Sequence, residues 1–159
     1  MSEKQSIMMA QVNPIKAIVK DYMKTAGFRC KRNSWYRQCN DLIQIVNIQK
    51  SCWGNQYYVN IGFDYYDGSF KYPSEYKFPA EYMFDLRIRI EHALENADLG
   101  VFDFDRQYEA GYRESIIMDY FVKGVEYLNK NNTTTALKEA FSNKPGYIHI
   151  GPLRDIILG

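Results

Sequence analysis

Apolar residues at Val12, Ile15, Val19, Tyr22 and Ala26 recur at spacings of three and four. They draw one stripe along a helix that ends at Gly27, with Phe28 as a capping contact. The period then changes from 3.6 to two. Ser34-Trp35-Tyr36-Arg37 reads as a first strand, Asn40-Asp41 as a turn, and residues 42–50 as a long strand that returns through a hairpin to Tyr65. If Gly54-Asn55 are the central residues of a tight II′ turn, Gln49 lies opposite Asn60. One face of the hairpin then carries Asn47, Gln49, Ser51, Tyr58, Asn60 and Asp64, and the other Val46, Ile48, Val59, Ile61 and Phe63.

Residues 66–83, with Asp67-Gly68, Pro73, Pro79 and many aromatics, read as a long loop or insertion. From Phe84 to Glu91 apolar and charged residues alternate without a fault, predicting a strand whose wet face shows Asp85, Arg87, Arg89 and Glu91. An acidic connector with Asp98, Asp103 and Asp105 precedes a long helical pattern at Tyr108, Tyr112, Ile116, Tyr120, Gly124 and Leu128, which stops at Asn131-Asn132. A short helix over residues 136–141 follows a Thr cluster suited to N-capping. In the tail, residues 145–159, Tyr147 to Ile150 alternate like a strand and Leu153 to Leu158 suit a helical turn; both readings stay open. The order predicts one two-layer α+β domain over residues 1–159. Its four-stranded antiparallel meander carries the N-terminal helix and the C-terminal helices, within 106–142, on one face.

With 159 residues the chain is long enough to bury a core without disulfides or metal. It is 46% hydrophobic and contains 14 Tyr, a residue that serves cores and binding surfaces alike. The net charge of +1 conceals an asymmetry: residues 1–60 hold nine Lys/Arg against three Asp/Glu, and the remainder eleven against sixteen. Internal complementarity between the halves is the expected meaning. Cys30, Cys39 and Cys52 leave one thiol over in any pairing and match no zinc spacing, which suits a reducing compartment. The short apolar run around residues 7–10 is no signal or membrane span, so a cytoplasmic location away from the membrane is expected.

The segment Asp41-Leu42-Ile43-Gln44-Ile45-Val46-Asn47-Ile48-Gln49-Lys50-Ser51, followed by Trp53-Gly54-Asn55-x-Tyr57-Tyr58-Val59-Asn60-Ile61-Gly62, carries a fairly specific signature. Together with Arg87-x-Arg89 it resembles the bacterial domain of unknown function 4304 family over residues 10–92, and more weakly through the helix pair to 142. The resemblance implies a shared fold and brings no reaction or ligand. Cys52 stands where that family's pattern leads one to expect a variable residue, which argues against a family-wide role for its thiol.

The polar sheet face is the first candidate site, comprising Asn47, Gln49, Ser51, Tyr58, Asn60, Arg87 and Arg89. The amides offer donors and acceptors, the two Arg can grip a carboxylate or phosphate, and Gly62 leaves space among them. A solvated face whose Arg residues pair with Asp64, Asp85 and Glu91 is the plain alternative. Cys52 and His92 fall at one end of the meander, as thiol catalysis would require, but parity places both toward the apolar layer, no third group orients the imidazole, and a buried inert Cys is the commoner outcome. His149 earns no role. Arg29, Lys31, Arg32, Arg37 and Lys50, interleaved with Trp35 and Tyr36, have the ingredients of a nucleic-acid surface, against which a pI of about 7.6 speaks. Asp103-Phe104-Asp105 supplies too few ligands for a metal. The reading is a binding module that holds a protein partner or small anionic ligand on its polar face, without metal or cofactor and in preference to catalysis; the alternatives are a nucleic-acid-binding protein through the Arg29 to Arg37 strand and, less favoured, a Cys52/His92 thiol enzyme.

Overall fold

The computed structural model describes residues 13–79, 83–143 and 151–159. Helix α1 (Pro14–Thr25) starts where Asn13 accepts the Ile15 and Lys16 N–H groups at 3.0 and 3.3 Å, with Pro14 in the first turn. It ends where Gly27 takes φ 91° and the Phe28 N–H reaches back to the Met23 carbonyl at 3.0 Å. Its buried stripe is Ile15, Val19 and Met23; the expected Val12 lies outside the described residues.

Five antiparallel strands follow in sequence order: β1 (Arg29–Lys31), β2 (Ser34–Cys39), β3 (Leu42–Lys50), β4 (Tyr57–Tyr65) and β5 (Leu86–Arg89). The fold is thus α+β as expected, with one strand more than the four predicted. The extra strand is β1, joined to β2 by Arg32-Asn33, with Arg32 at φ 58°. Arg is rare at positive φ, so Arg32 itself gives no signal of the turn, and Asn33 alone does not mark one.

The β3–β4 register differs from the expectation. Gln49 faces Tyr58, and Asn60 faces Asn47. The turn is not a two-residue Gly54-Asn55 bend: Gly54 does not take positive φ, and the Ser51 N–H closes a wider loop on the Gln56 carbonyl at 2.8 Å. A distant segment holds the loop in this form. Phe104 N–H donates to the Asn55 carbonyl at 3.0 Å, Asn55 Nδ2 to Asp105 Oδ1 at 3.0 Å, and Gln56 bridges Asp103. Because the pairing moved by two residues, every side chain within β3 and β4 stays on its predicted face.

After β5 a 3-10 turn (Ile90–Ala93) and another (Leu99–Phe102) lead to α2 (Tyr112–Lys130), α3 (Thr134–Phe141, capped by Thr133) and α4 (Pro152–Leu158). The open choice for the tail resolves as helix over its last residues; Tyr147 to Ile150, with His149, lie outside the described residues. Helices α1 to α4 bury Val19, Phe121, Val125, Leu137 and Leu153 against Trp35, Val46, Ile48, Ile61 and Leu86 on one sheet face. Gln44 is also on this face and fully buried. Its Nε2 donates to the Leu128 carbonyl near the end of α2 at 2.7 Å, and its Oε1 accepts from Arg37 Nη2 at 2.6 Å.

The second face is divided. Tyr66, Phe70, Tyr72, Tyr76 and Phe78 pack over Tyr36, Ile43, Ile45 and Phe84, so the insertion covers one half. Phe84 departs from the predicted alternation, which put it with Leu86 and Ile88. Its ring instead lies on Gly62, where a Cβ would come within 2.0 Å of Phe84 Cδ2. Gly62 therefore makes room for an aromatic ring of the fold and leaves no space for a ligand.

Candidate functional site

The uncovered half of the second face is built from a transverse row. Ser34, Asn47, Asn60 and Arg89 are successive partners across β2 to β5. Period-two alternation puts all four on the face away from the helices. Asn47 Nδ2 donates to Ser34 Oγ at 2.8 Å, and Asn60 Nδ2 donates to Asn47 Oδ1 at 3.0 Å and Gln49 Oε1 at 3.3 Å. Arg89 Nη1 also donates to Gln49 Oε1, at 3.3 Å, while its guanidinium lies 4.5 Å from the Tyr58 ring centre.

Arginine has no acceptor, so it fixes the polarity of this row. Gln49 must present Oε1 to it, Asn60 must then donate, and Asn47 must accept. The same logic leaves Asn60 Oδ1 buried without a protein partner. With Oε1 taken, Nε2 is the remaining polar group of the Gln49 amide, and Gln49 lines the open side.

Five of the seven predicted site residues meet in this arrangement: Asn47, Gln49, Tyr58, Asn60 and Arg89. Ser51 lies in the loop, where its Oγ accepts the Trp53 N–H at 3.1 Å. Arg87 stands half-buried opposite Gly62, one row away.

Beside the row is a cleft of about 340 Å³. Ser34, Asn47 and Gln49 form its floor, Lys31, Arg32 and Lys50 its rim, and Phe78 with Pro79 its wall. Every charged residue among its described lining is a cation; Lys50, which pairs with Tyr57, enters from the strand face turned toward the helices. None of the three rim residues forms an ion pair with a described carboxylate. Lys31 Nζ lies 4.4 Å from the Phe78 ring centre. Sequence reasoning had separated the amide face from the basic stretch; the two-residue turn after β1 folds them together.

The other members of that basic stretch are structural. Trp35 and Tyr36 are each 2% exposed, so neither offers a ring for base stacking. Trp35 meets Phe121 edge to face, and Tyr36 meets Phe78. Arg37 points into the helix layer and donates to the Ala26 carbonyl, Gln44 Oε1 and Asn129 Oδ1.

Among the described residues no ion pair joins the basic first portion to the acidic remainder. Among the described residues the ion pairs are Arg106–Asp103 and Lys123–Asp119, both within the acidic portion. Carboxylates of that portion hold backbone and hydroxyl groups instead. Asp98 accepts from Gly100 N–H and Tyr108 O–H, and Asp103 from Asp105 N–H. Asp64 accepts the Tyr76 hydroxyl and the Asp85 N–H, and Asp85 accepts the Tyr65 N–H. Burial raises the pKa of Asp64; burial and the adjacent Asp64 push Asp85 up to about 6.

Cys52 is exposed in the β3–β4 loop, where parity had placed it toward the core, and His92 is exposed in the turn after β5. All three cysteines are free. Asp105 of the Asp103-Phe104-Asp105 segment holds the loop through Asn55, and among the described residues no group of three His, Cys, Asp or Glu could hold a metal ion. No described helix is long and apolar enough to cross a membrane.

No curated protein and no solved structure matches this chain. A family model does match, over residues 19–118, which is more than half of the sequence and contains the sheet, the cleft and the start of α2. The chain belongs to the family described as Domain of unknown function (DUF4304).

Proposed function

We propose that this protein is a binding module that holds a small anionic ligand in the cleft on the open half of its sheet. The observation that carries this reading is the lining: an amide and hydroxyl floor under Lys31, Arg32 and Lys50, with no carboxylate among the described lining residues. A carboxylate or phosphate group brings only acceptors, which match the Lys and Arg donors at the rim and Gln49 Nε2 in the floor. The volume falls at the lower end of ligand pockets, which suits a small molecule. Arg89 acts at one remove, by fixing the Gln49 amide. The three free thiols fit a reducing, cytoplasmic setting.

Titration calorimetry with inorganic phosphate, succinate and adenosine monophosphate tests the reading. At least one should bind, and Lys31→Ala with Lys50→Ala should weaken it by about tenfold or more, since each lost charge-assisted hydrogen bond is worth roughly 1.5–3 kcal/mol. Absence of binding to all three, or binding indifferent to the double substitution, refutes it.

A further inference from the structure

The basic surplus of residues 1–60 continues past the cleft onto the opposite side of β1. Lys16, Lys20 and Lys24 stand at intervals of four on α1 and therefore share one helix face. With Arg29, Phe28 and Trp35 they line a groove of about 470 Å³ between α1 and β1, in which Asp21 is the only carboxylate among the described lining residues. None of these four cations forms an ion pair with a described residue. Lys16 is partly engaged, donating to the Arg32 carbonyl at 2.9 Å; Lys20, Lys24 and Arg29 are exposed.

The main chain adds a second feature. β1 is an edge strand. The Ile48 N–H donates to the Asn33 carbonyl at 2.8 Å, and antiparallel bonding alternates along a strand. Trp35 and Arg37 therefore bond toward β3, while Ser34 and Tyr36 bond toward β1, to Lys31 and Arg29. That leaves the Cys30 N–H and C=O directed outward from the sheet. Lysine on a short edge discourages pairing with an uncharged strand. A strand that brings carboxylates meets no such barrier.

We propose that the α1–β1 edge docks an extended acidic segment of a protein partner, which pairs with the Cys30 main chain. An added strand sends alternate side chains to opposite faces. Here one face meets Lys20 and Lys24 and the other meets Arg29 and Lys31, so the segment must carry consecutive acidic residues and not an alternating pattern. The buried rings of Trp35 and Tyr36 favour a peptide over a nucleic acid, since single strands are held largely by exposed aromatic platforms.

The test is fluorescence anisotropy of the full chain with a labelled dodecapeptide of Glu and Asp, and separately with a labelled uridine dodecanucleotide. The peptide should bind, more weakly as salt rises, and the variant Lys20→Glu, Lys24→Glu, Arg29→Glu should lose about tenfold or more while melting like the parent. Cys30→Pro removes the outward N–H, which an edge strand tolerates, and should weaken the peptide further than it alters melting. Lys50→Ala, which belongs to the ligand cleft, should leave peptide affinity unchanged, so failure here is separable from failure of the cleft. No peptide binding, binding unaffected by the charge reversals, or tighter binding of the uridine oligomer overturns the proposal.

Discussion

Asn60 and Asn47 face each other at the centre of the sheet, joined by a 3.0 Å hydrogen bond from Asn60 Nδ2 to Asn47 Oδ1, and Asn60 is wholly buried. An aspartate at position 60 would turn a carboxylate toward two amide oxygens, Asn47 Oδ1 and Gln49 Oε1, the second of which keeps its bond from Arg89. Asn60→Asp is expected to destabilise the fold by about 2–4 kcal/mol at neutral pH, the range for a buried polar group facing the wrong partners. Urea denaturation should show the deficit shrinking as pH falls and the carboxyl gains a proton. A variant as stable as the parent at pH 7 would contradict the polarity assigned to the row.

Gly62→Ala places a methyl group against the Phe84 ring. Overpacking of this kind costs about 1–3 kcal/mol. Combining it with Phe84→Leu should recover part of the loss, and a double-mutant cycle of thermal melts measures the coupling. Simple additivity would mean that the ring does not rest on the glycine.

Arg37→Ala should lower stability by about 2–4 kcal/mol, because it leaves buried Gln44 with a charged partner removed. Arg37→Lys should restore little, since lysine cannot span Gln44, the Ala26 carbonyl and Asn129 together. Chemical denaturation checks both. A neutral effect would return Arg37 to the surface-charge role suggested by its sequence neighbours.

The Asp85 carboxyl, raised to about 6 mainly by burial, sets a pH dependence. Between the ordinary carboxylate range and pH 6 the folded protein holds a proton there that the unfolded chain has released. This contribution to stability is present at low pH and is lost as pH rises through about 6. The melting temperature of Asp85→Asn should therefore vary less between pH 5 and 7 than that of the parent. Parallel profiles for the two proteins would show that Asp85 titrates normally.

Trp53 is 93% exposed while Trp35 is buried, which makes the two indoles separable reporters. Trp53→Phe should remove the component of emission quenched by acrylamide and shift stability by less than about 0.5 kcal/mol. Retention of strong quenching in that variant would place Trp35 at the surface.

The strands β3 and β4 were legible from local pattern because both run as period-two sequences whose faces differ in polarity. Their pairing was not, because the loop at Ser51 to Gln56 is held by Phe104 and Asp105, some fifty residues downstream. Turn chemistry read from Gly54-Asn55 cannot register such a constraint. The candidate site was half visible for a similar reason. Its amides announce themselves on β3 and β4, whereas Lys31 and Arg32 reach it only through a turn that Arg32 closes at positive φ. Phe84 broke alternation because Gly62, on the neighbouring strand but far back in the sequence, offered its ring a seat.

The cleft draws its floor and its wall from different parts of the chain. Ser34, Asn47 and Gln49 are held by the ladder of the sheet, while Phe78 and Pro79 belong to the connection between β4 and β5. Strand order does not depend on how long that connection is, because each strand pairs with its neighbour in sequence. Lengthening, shortening or exchanging the aromatic connection would thus reshape the wall of the cleft, while the amide and hydroxyl floor stays tied to the strands. If the proposed anion binding holds, the shape of the cleft and its polar floor belong to separately replaceable pieces of the polypeptide.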